Sequence, residues 1–243
     1  VSTDYDISSR LYFEELSLER VLDIYDFEHP SGMMVSVGGQ TPNNLVSGLH
    51  QAGVKVLGTS SEHINQAENR NTFSQILDRL KIPQPEWNSF TSVTQAKQFS
   101  LRVGYPVLVR PSYVLSGRAM RVCYTEWELE SVIEAAQVIN QKYPVLITKF
   151  MTEAEEIEYD GVAQDGKIQA FAICEHVEHA GVHSGDATII YPPQKIYVGT
   201  ERQVRQIAVS LAEALSISGP FNIQFLAKDN RVYVIEANLR ASR

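Results

Sequence analysis

The closing stretch of the chain constrains the fold most. Residues 221–227 and 232–237 are two apolar, β-branched and aromatic runs divided by Asp229-Asn230, so the chain is expected to end on a β-hairpin. Strand alternation puts Glu236 and Asn238 on one face. With the turn centred on Asn230, antiparallel pairing sets Gln224 opposite Glu236 and Asn222 opposite Asn238. One carboxylate beside amide oxygens is a hard-oxygen set suited to Mg2+, an ion that takes few protein carboxylates and relies on substrate phosphates. Arg240 and Arg243 follow the strand end, where they can clamp an anion. A solvent-facing strand edge with ordinary polar residues fits the same pattern, and the hairpin alone does not decide between the two.

Upstream, residues 33–37 are a short apolar run closed by Gly38-Gly39, as in a buried parallel strand. Thr41-Pro42 offers a helix cap and a first-turn proline for a helix reaching Gly53, and residues 54–57 form the next strand. Thr59, Ser60 and Ser61 can cap another helix, and Phe73, Ile76, Leu77 and Leu80 recur at helical spacing. Strand, helix, strand, helix implies a small doubly wound α/β unit. The two prolines of residues 81–85 mark a boundary. Beyond it come a helix through Ala96, Phe99 and Val103, strands at 106–110 and 119–124, a helix from Thr125 and a strand at 145–150. A second α+β portion holds a hairpin around Asp165-Gly166 and a helix near 201–215.

Several functional classes are excluded early. A net charge of -8 and a pI near 5.3 supply no basic field for nucleic acid, although a few focused cations can still hold a nucleotide. No apolar run approaches the roughly 20 residues that span a bilayer. Cys123 and Cys174 stand far apart without zinc spacing and are expected to be buried free thiols of a reducing compartment. Neither a P-loop nor a dinucleotide fingerprint is present. His176, His179 and His183, beside Glu175, Glu178 and Asp186, lack metal-site spacing and suit a polar strand end and loop. Glu153, Glu155, Glu156 and Glu158 suit a mostly solvated edge, with one carboxylate free to bind ribose hydroxyls. The chain opens on Val1 and closes on Arg243 directly after a polar strand end, so both ends are expected to be cuts through a longer polypeptide.

Two arginines stand out. Arg110 ends an apolar strand and precedes Pro111, so a planar donor fork projects from a rigid strand end; a solvated salt-bridge partner is the other reading. Arg70 is a cation at a helix start, where the dipole favours an anion, which hints at an anionic ligand nearby. The polar stretch 112–118 has the composition of a phosphate-covering loop, but also of any connector.

Taken in order, these segments resemble one family. Ser2-Thr3-Asp4-Tyr5-Asp6, Arg10-Leu11-Tyr12-Phe13-Glu14 and Gly38-Gly39-Gln40-Thr41-Pro42 look like the pre-ATP-grasp region of the carbamoyl-phosphate synthetase large subunit. Arg110-Pro111-Ser112-Tyr113-Val114-Leu115-Ser116-Gly117, Glu175-His176-Val177-Glu178 and Ala180-Gly181-Val182-His183-Ser184-Gly185-Asp186 are similar to its ATP-grasp core. Residues 235–243 resemble its metal-binding strand. The loop forms match the second, carbamate-phosphorylating half, and Ser116 with Asn238-Leu239 is closer to eukaryotic members.

The resemblance implies an α/β and α+β chain: a small doubly wound pre-ATP-grasp domain, residues 1–65, then a two-part ATP-grasp domain, residues 66–243, truncated at its C-terminal end. It implies ATP with Mg2+ or Mn2+, and transfer of a phosphoryl group to carbamate. Arg70 and Arg110 would contact ATP phosphates, Lys149 the nucleotide, the Met151 backbone adenine and Glu156 the ribose. Gly181, Val182, His183 and Ser184 would line the nucleotide cleft. Gln224, Glu236 and Asn238 would hold the metals, and Arg240 and Arg243 the acyl substrate, with Arg110, Arg240 and Arg243 acting in catalysis. Implied partners are the rest of the synthetase chain and a glutaminase subunit or domain, without nucleic acid or membrane, in the cytoplasm or the mitochondrial matrix. Another ATP-grasp ligase, a biotin carboxylase, or a catalytically silent nucleotide-binding fragment are the rival readings.

Overall fold

A computed structural model describes residues 6–111, 120–139, 144–181 and 187–242. Ser2 to Tyr5, the loop 112–118, Val182, His183, Ser184, Asp186 and Arg243 fall outside the described residues.

The first unit carries helix α1 (Leu18–Glu28), a parallel pair of short strands, β1 (Met33–Met34) and β2 (Val56–Leu57), and helices α2 (Gln40–Asn44), α3 (Val46–Gln51), α4 (Ser61–Glu68) and α5 (Arg70–Arg79). Two local expectations are corrected. Thr41 is not the cap: the helix starts two residues earlier, from Gly39, whose φ of 80 is open to glycine without strain. The stretch to Gly53 is also two helices, broken at Leu45, rather than one. Ser60 is a cap as expected, accepting from the His63 N–H, and Asn69, not anticipated, caps the next helix by accepting from the Thr72 N–H.

A four-stranded sheet follows, in the order β3 (Trp87–Phe90), β6 (Val145–Lys149), β4 (Val107–Pro111), β5 (Arg121–Cys123). Strand β3 carries no alternation and was not legible in the sequence. Alternate residues of β4 and β6, among them Val107, Val109 and Ile147, pack on α6 (Val93–Val103) and α7 (Glu126–Ile139) to form a self-contained core with Phe99, Leu129 and Ile133. The other face presents Leu108, Arg110, Val122 and Thr148 to a cavity.

The last unit is a five-stranded antiparallel sheet in the order β11 (Arg231–Asn238), β10 (Gly219–Lys228), β7 (Glu155–Gln164), β8 (Lys167–His179), β9 (Ile189–Ile190). One face buries Ile157, Tyr159, Phe221, Ile223 and Phe225 against α8 (Val198–Ala214). Gly161 sits opposite Phe221, and an added Cβ would lie 2.6 Å from the phenyl ring, so only glycine fits there. This core is continuous with that of the first unit through Val35, Leu49, Ile64, Phe73 and Leu77. Polar links reinforce the junction: Thr59 Oγ1 donates to the Ser218 carbonyl at 3.1 Å, and the Ser218 N–H returns to Thr59 Oγ1 at 2.9 Å. Cys123 is buried and Cys174 half-buried, both as free thiols.

Candidate functional site

The last hairpin pairs as expected, Gln224 with Glu236 and Asn222 with Asn238, but for a reason the sequence did not reveal. Near the turn the register is Lys228 with Arg231 through Phe225 with Val234, and a bulge then leaves Ile235 unpaired. The extra residue restores the face on which Glu236 meets Gln224 and frees the Ile235 carbonyl from the ladder. Arg70 Nη1 donates to that carbonyl at 2.6 Å, and Arg70 Nη2 lies 3.9 Å from Glu236 Oε2. The helix-start cation is thus turned onto the hairpin.

Between the two sheets lies a cavity of about 690 Å3. It brings together Arg70, Arg110, Lys149, Met151, Glu156, Gly181, Gln224 and Glu236 from seven places in the sequence that no local pattern joins. Trp87, Leu108, Val122, Phe150 and Leu226 supply apolar wall. Gln84 and Trp87 were missed as lining residues: Gln84 lies in the stretch 81–85 that carried only a boundary signal, and Trp87 lies just beyond it, on a strand without alternation.

The cations are poorly compensated. Burial pushes the Arg110 guanidinium down to about 10, and the neighbouring Arg70 charge acts in the same direction against a weaker pull from Glu236. Among the described residues Arg110 Nε is buried without a hydrogen-bond partner. Arg70 is also lowered by burial, with Glu236 opposing. Two adjacent guanidiniums with an unused donor are costly in the free protein and are what an entering polyanion would satisfy. Lys149 differs: its stem lines the cavity, but Nζ donates to the carbonyls of Gly104 at 2.8 Å and Tyr105 at 3.1 Å.

Asn238 Nδ2 donates to Glu236 Oε1 at 3.1 Å, so Asn238 adjoins the Glu236 carboxylate, although of Gln224, Glu236 and Asn238 only the first two line the cavity. Arg240 adjoins Asn238, with Nη2 3.5 Å from Asn238 Oδ1, while Arg240 Nε donates to Gln40 Oε1 of the first unit at 3.1 Å. Among the described residues no three His, Cys, Asp or Glu side chains form a metal cluster.

The acidic stretch is only in part the solvated edge expected of it: Glu153 is exposed and Glu155 half-buried. Glu156 and Glu158 are buried, as are Glu175 and His176 on the neighbouring strand. The signal was present in the alternation of Glu156, Glu158 and Asp160 with Ile157, Tyr159 and Gly161, which marks one polar and one apolar face. Burial raises the Glu156 carboxyl above its usual range, against His176 and the Gly181 N–H.

Two α+β lobes closing on a cavity with a cationic wall and an acid–amide end define the ATP-grasp class. The chain belongs to the carbamoyl-phosphate synthase large-chain family: residues 69–243 match the model of its L chain ATP binding domain, and residues 1–66 that of the carbamoyl phosphate synthase preATP-grasp domain. It is 54% identical over its whole length to the multifunctional protein pyrABCN of Emericella nidulans, of which it covers 11%. It is 52% identical, again over its whole length, to the mitochondrial carbamoyl-phosphate synthase [ammonia] of Rattus norvegicus, of which it covers 16%. The chain therefore spans a small fraction of these relatives. Among solved structures, a Campylobacter jejuni biotin carboxylase in complex with β-γ-ATP shares the fold at a TM-score of 0.78 and 19% identity, over 93% of this chain and 52% of that one. No helix among the described residues is long and apolar enough to cross a membrane.

Proposed function

We propose that this chain binds Mg-ATP in the cavity between its sheets and transfers the γ-phosphoryl group to carbamate, as the second ATP-grasp half of a carbamoyl-phosphate synthetase. The observation that carries the reading is the buried, unpartnered Arg110 Nε beside the Arg70 guanidinium, within a family whose model is described as an ATP binding domain. In this reading Arg70 and Arg110 hold the phosphates, the apolar wall and the Met151 backbone take the adenine, and Glu156 takes the ribose. Gly181, Val182, His183 and Ser184 line the nucleotide, and Lys149 contributes through its stem and its field. Gln224, Glu236 and Asn238 would hold Mg2+ or Mn2+, whose charge neutralises the phosphate oxygens when it is bound. Arg240 and Arg243 would orient the carbamate. A carbamate oxygen forms the new bond to the γ-phosphorus, the bond to the β-phosphate oxygen breaks, and carbamoyl phosphate and ADP leave. Such transfer needs positioning and charge compensation more than covalent participation, and the arginines supply both.

The same reading divides the chain into a pre-ATP-grasp domain, residues 1–65, and an ATP-grasp domain, residues 66–243. It makes the chain part of a longer synthetase served by a glutaminase subunit or domain, in pyrimidine or arginine synthesis, in the cytoplasm or the mitochondrial matrix. The test is a thermal shift with Mg-ATP, with GTP, and with ATP plus chelator, together with ADP release on adding carbamate. A shift specific to Mg-ATP and abolished by Glu236→Gln supports the site. No shift with ATP, or an equal one with GTP, overturns it. Binding without carbamate-dependent ADP release would instead mark the chain as a silent nucleotide-binding fragment.

A further inference from the structure

His176, on β8, has 1% of its side chain exposed and lies between two carboxylates of β7. Its Nε2 is 3.0 Å from Glu158 Oε1 and its Nδ1 is 3.9 Å from Glu156 Oε2. Glu158 is fixed from a second side, because Asn222 Nδ2 donates to its other oxygen at 3.1 Å while also reaching Asp160 Oδ1 at 3.0 Å. Glu156 is held differently. It lines the cavity and accepts from the Gly181 backbone N–H, and its nearby acids Glu158 and Glu236 both disfavour its charge. His176 is the cation that opposes them.

We propose that His176 is a positioning residue for the sugar end of the nucleotide: bridging Glu158 to Glu156, it keeps the Glu156 carboxylate aimed into the cavity beside Gly181. The inference rests on the reading of this cavity as an ATP site. Two buried carboxylates on neighbouring positions of one strand face repel, and a buried ion left without its partner turns outward or takes up a proton. The hydrogen bond to Glu158 raises His176 above the usual imidazole value, with burial opposing it. An ionised carboxylate accepts both hydroxyl hydrogens of a ribose, whereas a protonated one must donate one of its own. The chain Asn222, Glu158, His176, Glu156 thus transmits a rigid strand position to a side chain at the cavity wall.

The test compares Mg-ATP with Mg-2′-deoxy-ATP by titration calorimetry on the unsubstituted chain, Glu156→Gln, His176→Gln and the two combined. Loss of a hydroxyl hydrogen bond to a carboxylate is expected to weaken 2′-deoxy-ATP roughly tenfold in the unsubstituted chain. His176→Gln should remove most of that discrimination, as Glu156→Gln does, and the combined variant should be no worse than either. Should His176→Gln fail to fold, His176→Asn, polar but too short to reach both carboxylates, takes its place with Glu158 kept and the same loss expected. Discrimination kept in the His176 variants but lost in Glu156→Gln overturns the positioning role and leaves the ATP site standing. Failure of the unsubstituted chain to bind Mg-ATP overturns the site itself, and the inference with it.

Discussion

Gln224 faces Glu236 across the last hairpin because Ile235 bulges between Glu236 and the turn, and the carbonyl so released takes the Arg70 guanidinium at 2.6 Å. Metal-suited oxygens and a phosphate-suited cation are set by one irregularity in one strand.

Deleting Ile235 is therefore informative. A regular ladder would still place Glu236 opposite Gln224, but Arg70 would lose its carbonyl acceptor. A hydrogen bond from a charged donor contributes about 1.5–3 kcal/mol, so Mg-ATP affinity should fall roughly tenfold or more while its Mg2+ dependence remains. Titration calorimetry with and without Mg2+ checks this. Loss of the Mg2+ dependence would show that the bulge positions Glu236 itself.

Arg110→Met should stabilise the free chain and disable it. A cation whose value falls to about 10 on folding binds fewer protons in the native state between that pH and its higher unfolded value, so stability rises with pH through that window and the full cost is present at neutrality. The shift corresponds to on the order of 3 kcal/mol. Removing the charge should raise the ligand-free Tm by about 2–4 °C per kcal/mol recovered in a chain of this size, and should abolish the Mg-ATP shift. Arg110→Lys, which keeps charge without the fork, should bind between the two. A lower Tm for the methionine variant would contradict the cost assigned here.

Gly161→Ala should destabilise without touching the cavity. Its methyl group would press 2.6 Å from the Phe221 ring, and overpacking of this kind costs about 1–3 kcal/mol. The denaturant midpoint should drop, and Phe221→Leu in the same chain should recover part of the loss.

His176 and Glu156 both have raised values in the folded chain, the first through its hydrogen bond to Glu158, the second through burial. Each binds its proton more tightly folded than unfolded, so each contribution is complete at low pH and is lost as pH rises. For His176 the loss starts near the usual imidazole value of about 6.5. Stability measured by denaturation from pH 6 upward should decline, and His176→Gln should flatten the decline. An equal slope in the variant would assign it elsewhere.

The hairpins, the long helices and the alternation of the buried strands were legible because each is a local pattern. The Gln224–Glu236 pairing was anticipated from a turn centred on Asn230. The turn actually lies between Asp229 and Asn230, and the bulge at Ile235 supplies the missing offset. What sequence could not give was direction and burial. Arg70 looked like a misplaced cation until its side chain was seen on a carbonyl 165 residues away. His176 and Glu158 looked like a wet strand end, because burial of a charged pair depends on strands contributed from elsewhere. Thr41-Pro42 misled because glycine at 39 can open the helix earlier with no side chain to announce it.

The four-stranded lobe has its two chain crossings together: the Lys149 N–H donates to the Glu86 carbonyl at 2.7 Å, so the chain leaves and rejoins the main body side by side, and among the described residues none of the lobe's buried hydrophobic side chains belongs to the larger core. Residues 87–149 thus have the geometry of a cassette. Excised and bridged by a short flexible linker, they should leave a remainder that still folds around Phe221 and Leu211, while the lobe of a relative, grafted between the same two points, should seat without redesign of the host.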